Sequence, residues 1–156
     1  LIPTSPSRQE IKAVAAKDGI AAIKIKSNRM LLAYGFIRKV FEVFEVYQTP
    51  VDVITTSEVA VSVTIDKLDK IESILHDLKK YGAVEVDYHQ SIICVVGNLM
   101  ADEKGIIYRI FDALHDVPVR MISYGGNQYN VTVLVNTDDK IKALNALSNN
   151  LFHHES

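Results

Sequence analysis

The 156-residue chain has a single cysteine, no tryptophan and no surplus of either charge: 17 Lys plus Arg stand against 19 Asp plus Glu, for a formal net charge of −2. Cys94 alone cannot close an internal disulfide and suits a reducing compartment, so a cytoplasmic location is expected. The chain lacks the basic excess with which proteins hold a phosphate backbone, and no nucleic-acid partner is expected. No apolar run approaches the roughly 20 residues of a bilayer span, and Leu1-Ile2-Pro3-Thr4-Ser5-Pro6 has no basic segment followed by an apolar one. Neither membrane insertion nor secretion is expected. There is no Gly-rich phosphate loop, since Gly97 and Gly105 flank Asn98-Leu99-Met100 without the required Lys, and Gly125-Gly126 enters a strand. The histidines at 76, 89, 115, 153 and 154 form no close ligand set. Asp138-Asp139 precede the last helix and are expected to serve its positive end, while Cys94 is expected to be a buried, inert thiol. No nucleophile, base and orienting group can be assembled, so neither catalysis nor a metal or cofactor is expected of this chain. It begins with Leu and is expected to be a piece of a longer protein or a processed product.

What is present is 48% hydrophobic sequence, arranged twice. Asn28-Arg29-Met30 recurs as Asn98-Leu99-Met100, and seventy residues also separate Gly35 from Gly105 and Phe41 from Phe111. The offset falls to sixty-eight where Pro50-Val51-Asp52-Val53-Ile54 matches Pro118-Val119-Arg120-Met121-Ile122, and Ser62-Val63-Thr64-Ile65 is paired with Asn130-Val131-Thr132-Val133. It returns to seventy at Lys70-Ile71 and Lys140-Ile141, which places a two-residue insertion after those strands. Two modules of about seventy residues follow.

Each copy reads alike by hydrophobic period. Strands are predicted at 20–26 and 90–96, and helices at 34–47 and 103–115, where Phe36, Ile37, Val40, Phe41 and Phe44 keep helical spacing. Pro50 and Pro118 are expected to stop those helices. Short strands follow at 51–56 with 59–65 and at 119–124 with 129–135, then helices at 67–80 and 137–149, and a strand at 83–88 closes the first copy. The order βαββαβ is that of a ferredoxin-like α+β fold, two antiparallel sheets each with its helices on one face. The second copy ends on a helix, so its missing strand is expected from Ile11 to Lys17. The modules are therefore expected to be interleaved: 1–9 a linker, 20–88 the first module, 10–18 plus 89–152 the second, and 153–156 a tail.

Differences between the copies mark candidate function. The first has Asp52 where the second has Arg120, and Glu58 where the second has Gly126. The loop Ser27 to Gly35 leads into a helix N-terminus whose free N–H groups attract a carboxylate near Gly35, Phe36 and Ile37. Asp52 is expected at about the height of that loop, giving a pocket with donors at one end and acids at the other, complementary to an α-amino acid and, with two acids, to lysine. The alternative is that Asp52 and Glu58 are exposed edge charges that discourage aggregation.

Asn28-x-Met30 with Tyr34-Gly35-Phe36-Ile37-Arg38-Lys39-Val40-Phe41, followed by Val51-Asp52-Val53-Ile54-Thr55-Thr56-Ser57-Glu58-Val59, resembles the first ACT module of aspartate kinases of the lysine-sensitive type. Gly97-Asn98-Leu99-Met100, Val119-Arg120-Met121-Ile122-Ser123-Tyr124-Gly125 and Asn130 to Val135 are similar to the second. The resemblance spans residues 10–152 and lacks the kinase part. It implies a detached regulatory region that forms a homodimer through its ACT modules and binds L-lysine between first modules for feedback inhibition. The catalytic domain of the parent chain, with its ATP and magnesium, is then a partner outside this segment. Carried over residue by residue, Met30, Ala33, Gly35, Phe36 and Ile37 form the helix-side wall and carboxylate cradle, while Val51, Asp52, Ser57 and Glu58 hold the ammonium groups. Ala33 and Pro50 stand where lysine-sensitive members often carry Ser. Threonine sensing, and an assembly platform without an effector, are the other functions compatible with these residues.

Overall fold

The computed structural model describes residues 11–27, 35–97, 106–124 and 130–152. Its elements run β1 (Ile11–Ser27), α1 (Phe36–Val46), β2 (Ile54–Thr56), β3 (Ala60–Ile65), α2 (Ile71–Leu78), β4 (Gly82–Gly97), α3 (Ile106–Ala113), β5 (Met121–Ser123), β6 (Asn130–Asn136) and α4 (Lys140–Phe152). The strands pair in the order β2-β3-β1-β4-β6-β5, and the fold is the antiparallel, ferredoxin-like α+β class. The chain divides into two compact units, Asp18–Gln90 and Leu1–Lys17 with Ser91–Ser156; below they are the first and second modules.

In the first module β1 runs antiparallel to β3, from Ala21 opposite Ile65 to Lys26 opposite Ala60. β3 in turn runs antiparallel to β2, with Ile54 opposite Val63 and Thr56 opposite Val61. Alternation along the strands sends Ile23, Ile25, Val61, Val63 and Ile65 to one face, where all are fully buried. That face is covered by the apolar stripes of α1 (Phe36, Val40, Val43, Phe44) and α2 (Ile71, Ile74, Leu78). Full burial of each such aliphatic or aromatic side chain contributes about 1.5–3 kcal/mol, so the module carries its own core. The second module has a separate core, in which Ile93 and Val95 of β4 and Val131, Val133 and Val135 of β6 meet Ile110 of α3 and Ala143, Leu147 and Leu151 of α4, with Val14 of β1 packed against them.

Several sequence expectations need correction. Segments 11–17 and 20–26 are one strand, as are 83–88 and 90–96. Gly19 (φ 74°) and His89 (φ 61°) take the left-handed conformation within these strands without ending them. The helices end at Val46 and Ala113, one and two residues before their expected ends at 47 and 115. α1 ends at Val46, where Gln48 N–H donates to Glu45 O (3.0 Å) and Thr49 N–H to Phe44 O (2.9 Å), the double closure of a Schellman motif with Gln48 at φ 50°. The last helix starts three residues later than expected, after a 3-10 turn at Thr137–Asp139 whose Asp138 N–H is capped by the Asn136 side chain at 2.9 Å. Cys94 is only partly buried, and its sulfur accepts the Thr132 hydroxyl at 3.6 Å.

The repeat also aligns differently from the sequence pairing. Ile54 faces Val63 and Ile122 faces Val133, so β2 matches β5 at offset sixty-eight while β3 matches β6 at offset seventy. The two extra residues of the second copy therefore lie before β6, between Ser123 and Asn130. Thr64 consequently corresponds to Leu134, and both are buried.

Candidate functional site

The predicted pocket is built from three pieces of the first module. At the start of α1, Gly35 sits at φ 86°, a left-handed conformation that penalises any side chain, and its carbonyl accepts the first helical bond from Lys39 N–H at 2.9 Å. Among the described residues no side chain caps this end, and no acid lies in the first turn. The N–H groups of Phe36, Ile37 and Arg38 have no acceptor within the helix, and they present partial positive charge. Phe36 points into the core while Ile37 is 42% exposed. Met30 and Ala33, the other predicted wall residues, lie outside the described residues.

The second piece is the β2–β3 turn. Ser57 N–H donates to Ala60 O (2.9 Å), Ser57 Oγ accepts Val59 N–H (3.4 Å), and Ser27 N–H of β1 donates to Val59 O (2.8 Å). The turn carrying exposed Ser57 and Glu58 is thus tied to the end of β1 from which the chain departs toward α1.

The third piece is the entry to β2. Asp52 N–H donates to Thr64 O at 2.9 Å, Val53 N–H to the Thr64 hydroxyl at 2.9 Å, and Thr64 N–H to Val53 O at 3.0 Å. Here the expectation fails. Through β3, β2 runs parallel to β1, so Asp52 stands level with Ala21 and Ala22, at the far end from Ser27. Five residues of strand separate it from Ser57, about 17 Å at 3.3 Å per residue. The reason is built into the topology, because a helix crossover between parallel strands returns the chain to the opposite end of the sheet before the next strand begins. One chain therefore brings Gly35, Phe36 and Ile37 to the same end as Ser57 and Glu58, and leaves Val51 and Asp52 at the other.

A cleft of about 200 Å³ on the helical side, lined by Lys39, Glu42, Val43, Val46, Asp77, Lys80 and Tyr81, contains none of the predicted residues. Three contacts cross it: Tyr47 donates to Asp77 Oδ2 at 2.6 Å, Lys80 lies 3.8 Å from Asp77, and Lys39 sits 5.9 Å from the Tyr81 ring centroid. The Asp77 hydrogen bond holds the Tyr47 phenol above its ordinary pKa. Among the described residues no cluster of His, Cys, Asp and Glu is fit to hold a metal ion, and no helix is long and apolar enough to cross a membrane.

β2 is an edge strand in the pairing order, and it exposes Ile54 at 47%; Ile122 at the matching place in β5 is 46% exposed. Thr64 is the residue that sequence reasoning missed. The sequence signal was slight, since Thr64 alternates with Ser62 opposite the Val61-Val63-Ile65 face, and pairing Thr64 with Thr132 obscured it.

Residues 93–151 match the sequence model of a family described as ACT domain. The fold is similar to that of a chain described as a C-terminal regulatory domain of aspartate kinase from Porphyromonas gingivalis W83, with 55% identity over 90% of this chain and 96% of that one and a TM-score of 0.82. The Escherichia coli aspartokinase III structure in complex with lysine and aspartate is 28% identical, with a TM-score of 0.81, over 95% of this chain and 35% of that one. Aspartokinase of Candida albicans is 35% identical over 146 residues, which cover 90% of this chain and 27% of the relative. The chain thus spans about a quarter to a third of the length of the curated relatives it matches. With its doubled βαββαβ fold and the 55% identity, it belongs to the ACT-domain regulatory regions of aspartate kinases.

Proposed function

We propose that this chain is the C-terminal regulatory region of a cytoplasmic aspartate kinase, and that it senses L-lysine at an interface between the first modules of two copies, for feedback inhibition. The observation that carries the reading is the placement of the two acids. Asp52 and Glu58 mark opposite ends of one exposed edge strand. A two-fold axis beside that edge makes the two β2 strands antiparallel, so Asp52 of each copy meets the Ser57-Glu58 turn and the α1 terminus of the other. Two such sites arise per dimer. Each combines two carboxylates, which suit a cation, with a helix N-terminus that suits an anion. Lysine supplies all three charges: its carboxylate for Gly35, Phe36 and Ile37, and its ammonium groups for Asp52 and Glu58, with Val51 and Ser57 beside them. The exposed Ile37 and Ile54 give the pairing an apolar contact. The kinase domain of the parent chain, where ATP and magnesium are used, receives the signal.

Titration calorimetry with lysine, threonine and methionine tests the specificity: saturable heat with lysine at one ligand per chain is expected, and heat with threonine alone rejects lysine as the effector. The exposed edges at Ile54 and Ile122 also suit a second reading, in which the modules are an assembly platform without an effector; a dimer by light scattering that binds none of the three amino acids favours it.

A further inference from the structure

The second module shares one backbone bond of the strand entry with the first. Arg120 N–H donates to Leu134 O at 2.7 Å just as Asp52 N–H donates to Thr64 O at 2.9 Å, so the backbone clamp is common to both. In the first module, however, a completely buried hydroxyl stands where the second has Leu134, and it accepts the Val53 N–H at 2.9 Å. That bond takes the place of a ladder bond: β2 begins only at Ile54, whereas β5 begins one residue earlier, at Met121. A hydroxyl in a fully buried position is costly unless its bonds are made. Here it spends them on the peptide that joins Asp52 to the strand.

We infer that Thr64 is a positioning residue for Asp52. Its hydroxyl, accepting the Val53 N–H beside the backbone bonds that Thr64 makes with Asp52 and Val53, fixes the backbone on which the Asp52 carboxylate stands, so that lysine meets a placed acid rather than one that must be ordered on binding. The inference rests on the proposed lysine site, and it assigns to Thr64 the selectivity for a side-chain ammonium, without contact to the ligand.

The test compares lysine with norleucine, which has the same carbon chain without the terminal ammonium, on the 156-residue chain and its Thr64→Val and Thr64→Ser variants. Thr64→Val is expected to lower the lysine-to-norleucine affinity ratio by about ten-fold, the scale of one hydrogen-bonded charge contact. Thr64→Ser is expected to restore the ratio, and Thr64→Val is expected to add nothing in an Asp52→Asn background. A structural effect on the module alone lowers both affinities together and leaves the ratio unchanged, which would overturn the assignment while leaving the lysine site intact. Amide hydrogen exchange supplies a ligand-free readout: Val53 N–H should exchange faster in Thr64→Val and at the original rate in Thr64→Ser. If the parent chain binds no lysine, the proposed function fails, and unchanged Val53 exchange in Thr64→Val would separately remove Thr64 from the clamp.

Discussion

Replacing Gln48 by Gly should stabilise the protein. Gln48 sits at φ 50° just past α1, with its side chain exposed and its N–H and that of Thr49 closing the Schellman motif. A residue with a Cβ in the left-handed region costs about 1–2 kcal/mol. Gly removes that cost but gives back about 0.5–1 kcal/mol through its greater freedom in the unfolded chain. The net gain is about 0.5–1 kcal/mol, equivalent to roughly 1–4 °C in Tm for a protein of this size. No side-chain hydrogen bond of Gln48 offsets the change, and both closing bonds come from the backbone. Urea denaturation monitored by circular dichroism measures the difference. Gln48→Ala is the control, expected within about 0.5 kcal/mol of the parent, because Ala keeps the Cβ and lacks only an exposed side chain. If Gln48→Gly is no more stable than Gln48→Ala, the reading of the α1 terminus as a strained turn is refuted. The point bears on function, since this turn aims the chain through Pro50 toward Asp52.

Gly82→Ala should cost about 2–4 kcal/mol, because a Cβ there overlaps the backbone carbonyl of Lys26 and one of the two backbones must shift; thermal unfolding checks it, and a change below about 0.5 kcal/mol contradicts the close approach. Tyr47 gives a pH prediction. Its phenol pKa is raised in the fold by the bond to Asp77, so its contribution to stability is fully present below the unfolded value near 10 and is lost as pH rises through the folded value. Stability curves of the parent and Tyr47→Phe should therefore converge above that range, and parallel curves through it would refute the assignment.

The architecture was largely legible because it rests on periodicity. The 3.6-residue spacing of Phe36, Val40, Val43 and Phe44 and the alternation of Val61, Val63 and Ile65 are read directly from the chain, and they set which face is buried. The duplication then carried the element order from one copy to the other. What escaped depended on backbone conformation and three-dimensional register. The breaks expected at 18–19 and at 89 are not there, because a strand continues through a single left-handed residue. The equivalence of Thr64 with Leu134 was hidden because either alignment keeps the period of two, and only cross-strand partners separate them. In the candidate site the residue types were visible but their arrangement was not. Asp52 looked adjacent to the loop before α1 until the parallel course of β1 and β2 placed it at the other end.

That separation is why the account requires two copies. Asp52→Asn and Glu58→Gln chains, each defective for lysine alone, should complement when mixed under conditions that allow subunit exchange, since each mixed dimer then contains one site with both acids intact. Calorimetry of the equimolar mixture is expected to show tight lysine binding at about a quarter of the parent stoichiometry, the fraction set by random pairing of a two-fold dimer. Demonstrated exchange with no recovered binding would contradict a site shared between two chains.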